Sequence, residues 1–544
     1  MRGRRPPRAK RWLFLILLAA GIGATTALWS YAGGGSDGNQ PAFGGQYIEG
    51  VTGAPARINP LFAGQNDADQ SLAALVFSGL TRLDSEGRPF PDLAQSWEPS
   101  ADGRSYTFRL RQGVVWHDGD AFDADDVVFT YGLLKSPSLP SPPPLARVLA
   151  EASVTKVDAL TVRIDLPQPY APLPAYLSTG ILPRHLLEAQ AASLYDSPFN
   201  QRPIGTGPYR IEQLSPDRAV LVANAAYHFG QPYLQRLELR FFRDDGALMG
   251  ALRRREIDGA FFHGGVGAGD YAYLAGRKDL RLSFLGSGEV TFVYFNLRNP
   301  LFQDRRVRQA LLYAVERDAL VAEYLPEQAQ RADSPLANGT WAATNSMSRY
   351  GSDASLADLL LNEAGWRLSG GIRISGARRL SFTLATNNDP VRVAIAQALA
   401  EKWKAIGVDV KVEAGGTTAL VRDLLEPRAY EAALFAYQAE ADPDPYAAWH
   451  SSQTTSSGRN ISMLSDARFD RLLEDARRES SPERRAQLYR EFQELFAQEV
   501  PAIPLLSSTA LYVQKTAVKG ARPGYLDNPG ARFWQVQDWY LKTR

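Results

Sequence analysis

The sequence predicts an α/β protein built from more than one folded unit. A chain of 544 residues is too long for a single hydrophobic core, so about two to four units are expected. Residues 391–412 carry the α/β signal most clearly. Val391, Ile395, Leu399, Trp403 and Ile406 recur on one helical face, Gly407 stands in the C′ position, and Val408, Val410 and Val412 alternate as a strand. Residues 106–131 add strand, turn and helix. Tyr106, Phe108 and Leu110 alternate with polar residues, Gly113 and the run 117–120 supply a turn, and Asp123 with Asp126 can cap the helix that follows.

Composition narrows the function. Hydrophobic content of 45% and charged content of 22% describe an ordinary globular protein. The net charge of +1 hides a split, because six basic residues (Arg2, Arg4, Arg5, Arg8, Lys10 and Arg11) lie in the first eleven positions without an acid. The remainder is mildly acidic, which argues against nucleic acid as a partner. There is no cysteine, so disulfides, thiolate metal sites, a cysteine nucleophile and a lipid-modified cysteine are excluded.

Residues 12–32 are uncharged and long enough to span a bilayer. With the basic run before them, they predict an N-terminus in the cytoplasm and a body outside it. Segment 1–32 is either an uncleaved transmembrane anchor or a signal peptide cut after Ser30-Tyr31-Ala32. Residues 33–45 read as a flexible linker. Gly34, Ser36 and Gly38 match the hydrolase spacing G-x-S-x-G, but lie in this tether and not between a strand and a helix.

Along the body, a strand is expected at 47–51 and a helix carrying Leu72, Leu75, Val76 and Leu80. Two alternating runs flank Asp158-Ala159 as a hairpin, and the prolines of 136–144 exclude a helix there. Gly205 and Gly207 form a loop without the Lys-Ser/Thr of a phosphate loop, and Gly264 to Gly269 lacks dinucleotide spacing. Asp304 can cap a helix with Val307, Ala310 and Leu311 inward, and Arg305, Arg306 and Arg308 are expected in solvent. Asp466 and Pro482 open the last two helices.

No catalytic constellation emerges. The five histidines (His117, His185, His228, His263 and His450) are scattered, none with H-E-x-x-H spacing. His117 reads as a structural residue of its turn. Neither a metal nor a cofactor is expected, and the chain is read as a non-enzyme.

The order of residues says more than the periodicity. LRQGVVWHDGDAFDADDVVF at 110–129 closely resembles the signature of the family 5 extracellular solute-binding proteins, the peptide and dipeptide receptors of ABC importers. The match continues through INPLFAGQNDAD (58–69), PIGTGPYRIEQL (203–214), residues 290–325, LADLLLNEAGW (356–366) and residues 460–506. At 350–353, Tyr-Gly-Ser-Asp replaces the family's usual Tyr-Asp-Pro. The resemblance implies a class II periplasmic-binding-protein fold: two α/β lobes with a hinge, and an extra third domain. It implies domain I from 46–83, 203–289 and 500–544, domain II from 84–202 as scaffold, and domain III, the ligand lobe, from 290–499.

It further implies an extracytoplasmic monomer that captures a peptide by hinge closure and delivers it to a membrane permease. The expected site lies in residues 434–452. Glu440 is the implied partner of the peptide's α-ammonium, with Asp442 as the alternative. Tyr437 and Gln438 precede it, Trp449 could line a pocket or pack in the core, and Asn66 could line the cleft from the first domain. Two other functions stay open: the same fold binding an oligosaccharide or nickel chelate, and a secreted hydrolase.

Overall fold

The computed structural model describes residues 40–136, 139, 143–344 and 350–543. One sheet runs through the molecule. Its strands follow the order Asp409–Gly415, Ser381–Asn387, Ala432–Gln438, Leu280–Phe295, Ala502–Lys515, Gly259–Phe262, Gln46–Thr52, Arg236–Phe242, Arg218–Ala223 and Tyr209–Leu214. Ala329–Arg331 pairs off the side of Ala502–Lys515.

Two of these strands tie the halves together. Leu280–Phe295 and Ala502–Lys515 are 16 and 14 residues long and pair antiparallel. Their register runs from Leu280↔Lys515 to Gly286↔Thr509, breaks, and resumes from Val290↔Ser507 to Tyr294↔Ala502. Gly288 lies in the break with φ of +76°, a conformation that favours glycine. The two ends of the pair serve different cores. Leu280, Leu511 and Val513 pack with Leu248 and Leu252, whereas Val293, Phe295 and Ile503 pack with Val307, Leu311 and Leu384. Each end is held by apolar burial, and the break falls between the two.

A second sheet orders Ala94–Pro99, Ser105–Leu110, Thr161–Asp165 and Ser153–Asp158. Tyr106, Phe108 and Leu110 all face its core, with Val162 and Ile164 opposite. Asp123 and Asp126 form a capping box on helix Ala124–Leu133. The turn before that helix is clamped to residues 205–207. His117 N–H donates to Gly205 O at 2.9 Å, its Nδ1 accepts from Gly205 N–H at 3.3 Å, and its Nε2 lies 3.0 Å from Gly207 O. Gly205 is required by close approach, since a Cβ there would land on the carbonyl oxygen of Val76. Two of the sequence blocks that carry the family resemblance therefore hold each other in place.

The expected helices form with their expected caps. Asp304 and Asp466 cap Arg305–Tyr313 and Ala467–Arg478, Pro482 opens Pro482–Glu499, and Asp353, in the stretch that departs from the family pattern, caps Ala354–Glu363. Helix Pro390–Ala405 ends before Gly407, whose φ is +84°.

Two expectations are corrected. Arg308 is not in solvent but 6% exposed. It donates to the carbonyl oxygens of Phe302, Gln303, Glu499 and Val500, which join two helix ends through one guanidinium. The linker expected at 33–45 is ordered at its end: Pro41–Ala42 pairs with Lys542–Thr543, and Phe43 packs on Tyr233 with ring centroids 5.0 Å apart. The segment expected as signal or anchor lies outside the described residues. Among those described, no helix is long and apolar enough to cross a membrane.

Candidate functional site

Strand Ala432–Gln438 leads to the site. Along its whole length it pairs with Leu280–Phe295 on one side. On the other side Ser381–Asn387 pairs with it only at Ala432 and Ala433. Beyond Ala433 that edge of the strand carries no strand partner among the described residues. At its end, Gln438 Nε2 donates to Ser287 O at 2.9 Å and Ala439 N–H to Gly288 O at 2.9 Å. Asp-Pro-Asp-Pro at 442–445 then prevents a regular element, because proline restricts both itself and the residue before it.

Three adjoining cavities open around this strand end. One of about 380 Å³ is walled by Glu289, Asn387, Arg392 and Gln438 among others. One of about 590 Å³ shares Gln438 and adds Gly64, Gln70, Tyr176, Glu440 and Asp527. One of about 530 Å³ shares Tyr176, Glu440 and Arg459 and adds Arg147, Tyr437 and Arg477. The walls of the two larger cavities come from residues 60–77, 144–180 and 437–459, with Arg477, Asp527 and Asn528, which are far apart in sequence.

Glu440 stands where the two larger cavities meet. Its carboxylate accepts from Arg147 Nη2 at 2.5 and 2.7 Å, from Tyr176 Oη–H at 2.6 Å and from Arg459 Nη1 at 2.9 Å. Burial pushes this carboxyl up, but the bonds from Arg147 and Tyr176 outweigh it and hold it below its usual range. Arg147 and Tyr176 belong to the segment 84–202, which the sequence reading treats as scaffold. They join the candidate site without having been legible in the sequence, because an isolated arginine and tyrosine on short helices carry no spacing signal.

Asp442 is a corrected expectation. It is 2% exposed and forms a two-pronged ion pair with Arg485 at 2.6 and 2.7 Å, and Tyr489 Oη sits 2.7 Å from the same guanidinium. Burial disfavours the Arg485 charge, yet Asp442 and Tyr489 outweigh it and hold its pKa well above the ordinary value. Asp442 is therefore committed inside the fold. Asp444 is likewise paired, with Arg477 Nε at 2.6 Å, and that guanidinium lies 3.7 Å over the Tyr446 ring.

The remaining candidates divide. Tyr437 and Gln438 line cavities. Trp449 is 1% exposed and packs among Phe292, Tyr294 and Phe496, with centroids 5.4, 5.9 and 4.7 Å away, so it is a core residue. Asn66 caps helix Asp67–Val76, accepting from Asp69 N–H at 2.7 Å. The nearby cavity wall uses Ala63, Gly64 and Gln70 instead. Among the described residues, no group of three or more histidines and carboxylates is placed to hold a metal ion.

The model of the bacterial extracellular solute-binding proteins, family 5, matches residues 88–459. The chain belongs to that family. Family 5 members have the two-lobed α/β fold with an extra domain, and the strand pair that joins the halves of this chain fits that architecture. Oligopeptide-binding protein AppA of Bacillus subtilis (strain 168) is 28% identical over 516 residues, covering 92% of each chain. Its structure in complex with a nonapeptide superposes with a TM-score of 0.65 over 92% of this chain and all of that one. The dipeptide-binding protein of Escherichia coli (strain K12) is 26% identical over 86% of this chain and 90% of its own. NikZ from Campylobacter jejuni, solved in complex with Ni(L-His), is 30% identical with a TM-score of 0.68, covering 91% of this chain and 99% of its own.

Proposed function

We propose that this chain is the extracytoplasmic receptor of an ABC importer, capturing a peptide between its lobes and passing it to a membrane permease. The observation that carries this reading is the open edge of strand Ala432–Gln438, set among the three cavities. An extended peptide can pair with such an edge through its backbone, which makes recognition tolerant of side chains. The cavities beside the edge then receive the side chains. Relatives that bind oligopeptides and dipeptides support the choice of ligand.

In this reading the lobes follow the division 46–83, 203–289 and 500–544 for domain I, 84–202 for domain II and 290–499 for domain III. They close about the register break at 287–289 in the crossing strands. Glu440 serves closure: it draws Arg147 and Tyr176 toward Arg459 and the strand end. Gln438 and Tyr437 face the ligand, and Asp442, Trp449 and Asn66 hold the framework. The receptor is a monomer, performs no chemistry on its ligand, and is exported or anchored by residues 1–32.

Titration calorimetry of pure protein with a pool of tri- to hexapeptides tests this. Saturable heat, with every peptide recovered intact, is expected. Absence of binding, or hydrolysis of the peptides, overturns it. A non-peptide solute is the second reading, favoured by the similarity to NikZ. It predicts no peptide heat and a response to a nickel–histidine chelate.

A further inference from the structure

We propose that Arg147 and Arg459 form a platform of two guanidinium faces that receives an aromatic side chain of the ligand. This narrows the substrate class to peptides carrying phenylalanine, tyrosine or tryptophan, and it rests on the peptide reading above. Both arginines line the cavity of about 530 Å³. Both donate to Glu440, Arg147 through Nη2 at 2.5 and 2.7 Å and Arg459 through Nη1 at 2.9 Å. A guanidinium donates within its own plane, so these bonds occupy edges and not faces. Among the described residues neither face carries an aromatic ring, and the two side chains are 57% and 52% exposed.

A third arginine of the same cavity shows the arrangement completed. Arg477 donates from Nε to Asp444 at 2.6 Å, and its guanidinium carbon lies 3.7 Å from the centre of the Tyr446 ring. There a carboxylate takes the edge and a ring takes the face. At Arg147 and Arg459 the described chain supplies the carboxylate and no ring. An aromatic face carries the negative end of the ring quadrupole, so it is attracted to a guanidinium laid against it, more strongly where water is excluded. A saturated side chain of the same shape would strip water from the cations without that return.

The charges of the wall select against a charged guest. An acidic side chain would compete with Glu440 and Asp444 for arginines that they already hold. A basic side chain would enter beside three guanidinium groups, and Glu151, a further carboxylate of the wall, is exposed to solvent. Tyr176 and Tyr437 add rings to the same wall. Tyr437 belongs to strand Ala432–Gln438, so the platform lies beside the edge offered to the peptide backbone. Arg147 comes from helix Pro144–Leu149 and Arg459 from the loop after Gln453, so the platform is complete only where Glu440 holds both.

The test uses alanine pentapeptides in which each position in turn carries phenylalanine, cyclohexylalanine, leucine, glutamate or lysine, with binding to the full chain read by native mass spectrometry. Cyclohexylalanine keeps the shape of phenylalanine and loses the π face. At one position at least, wild type should bind phenylalanine about two- to thirtyfold more tightly than cyclohexylalanine, with leucine, glutamate and lysine no better than cyclohexylalanine. Arg147→Lys and Arg459→Lys keep a charge beside Glu440 and remove the plane. In each, the ratio of phenylalanine to cyclohexylalanine should fall toward one, whatever the change in overall affinity. Should a lysine variant fail to fold, the wild-type ratio alone decides. Equal binding of the two residues at every position, a best-bound leucine, glutamate or lysine, or a ratio that survives both lysine variants overturns the platform and leaves a peptide receptor standing. Binding of no pentapeptide by folded wild type overturns the peptide reading, and the platform falls with it.

Discussion

At the scale of single residues, the carboxylates of segment 440–444 have different duties although they sit within five positions. Asp442 and Arg485 are both almost fully buried and satisfy each other. Removing one partner of such a pair strands the other charge in the core, which costs about 3–5 kcal/mol. Asp442→Ala should therefore lower unfolding stability by that amount in urea titrations, and Asp442→Ala with Arg485→Met should recover part of it. His117 gives a pH signature. Burial lowers its pKa from 6.5 to about 4. A histidine held neutral contributes stability that is present above its unfolded pKa and is lost as the pH falls toward about 4. The loss is up to about 3 kcal/mol. Unfolding at pH 7 and pH 4 should show this loss in wild type and its absence in His117→Gln. The structural role of His117 was legible in the sequence, but the duties of Asp442 and Asp444 were not, because an aspartate in a loop reads the same whether it meets water, an arginine or a ligand.

At the scale of elements, the contacts of Glu440 connect segments that are distant in the chain. Helix Pro144–Leu149 supplies Arg147, helix Leu173–Tyr176 supplies Tyr176, and the loop after Gln453 supplies Arg459. Glu440→Gln should weaken closure. In small-angle scattering with saturating peptide, the variant should keep a larger radius of gyration than wild type, whereas identical closure contradicts a latch. Gly205→Ala tests the clamp between the two motif blocks. Its Cβ meets the Val76 backbone, so a loss of at least about 2 kcal/mol is expected in thermal or urea melts.

The elements themselves were largely readable from sequence. Caps at Asp123, Asp304 and Asp466, the stop at Gly407 and the alternation at 106–110 are local chemistry, written within a few residues. The break at 287–289 and the open edge beyond Ala433 arise from pairing between segments about 50 to 220 residues apart, and no window of sequence contains them. Arg308 shows the same limit: in the sequence it stands among three arginines within four residues, and only the ends of two helices meeting there make a buried arginine favourable.

At the scale of the whole molecule, the long strand pair both joins and separates two cores. In the proposed closure each core keeps its own packing, which assigns the rotation to the register break between them. The binding energy of a ligand then acts as the bias between open and closed forms. The central claim is that the cleft holds a peptide, and native mass spectrometry of protein purified from its own host tests it most directly. The account predicts a bound species released on denaturation whose fragments form a peptide ladder. A bound sugar, a nickel chelate or another non-peptide solute in its place would contradict it.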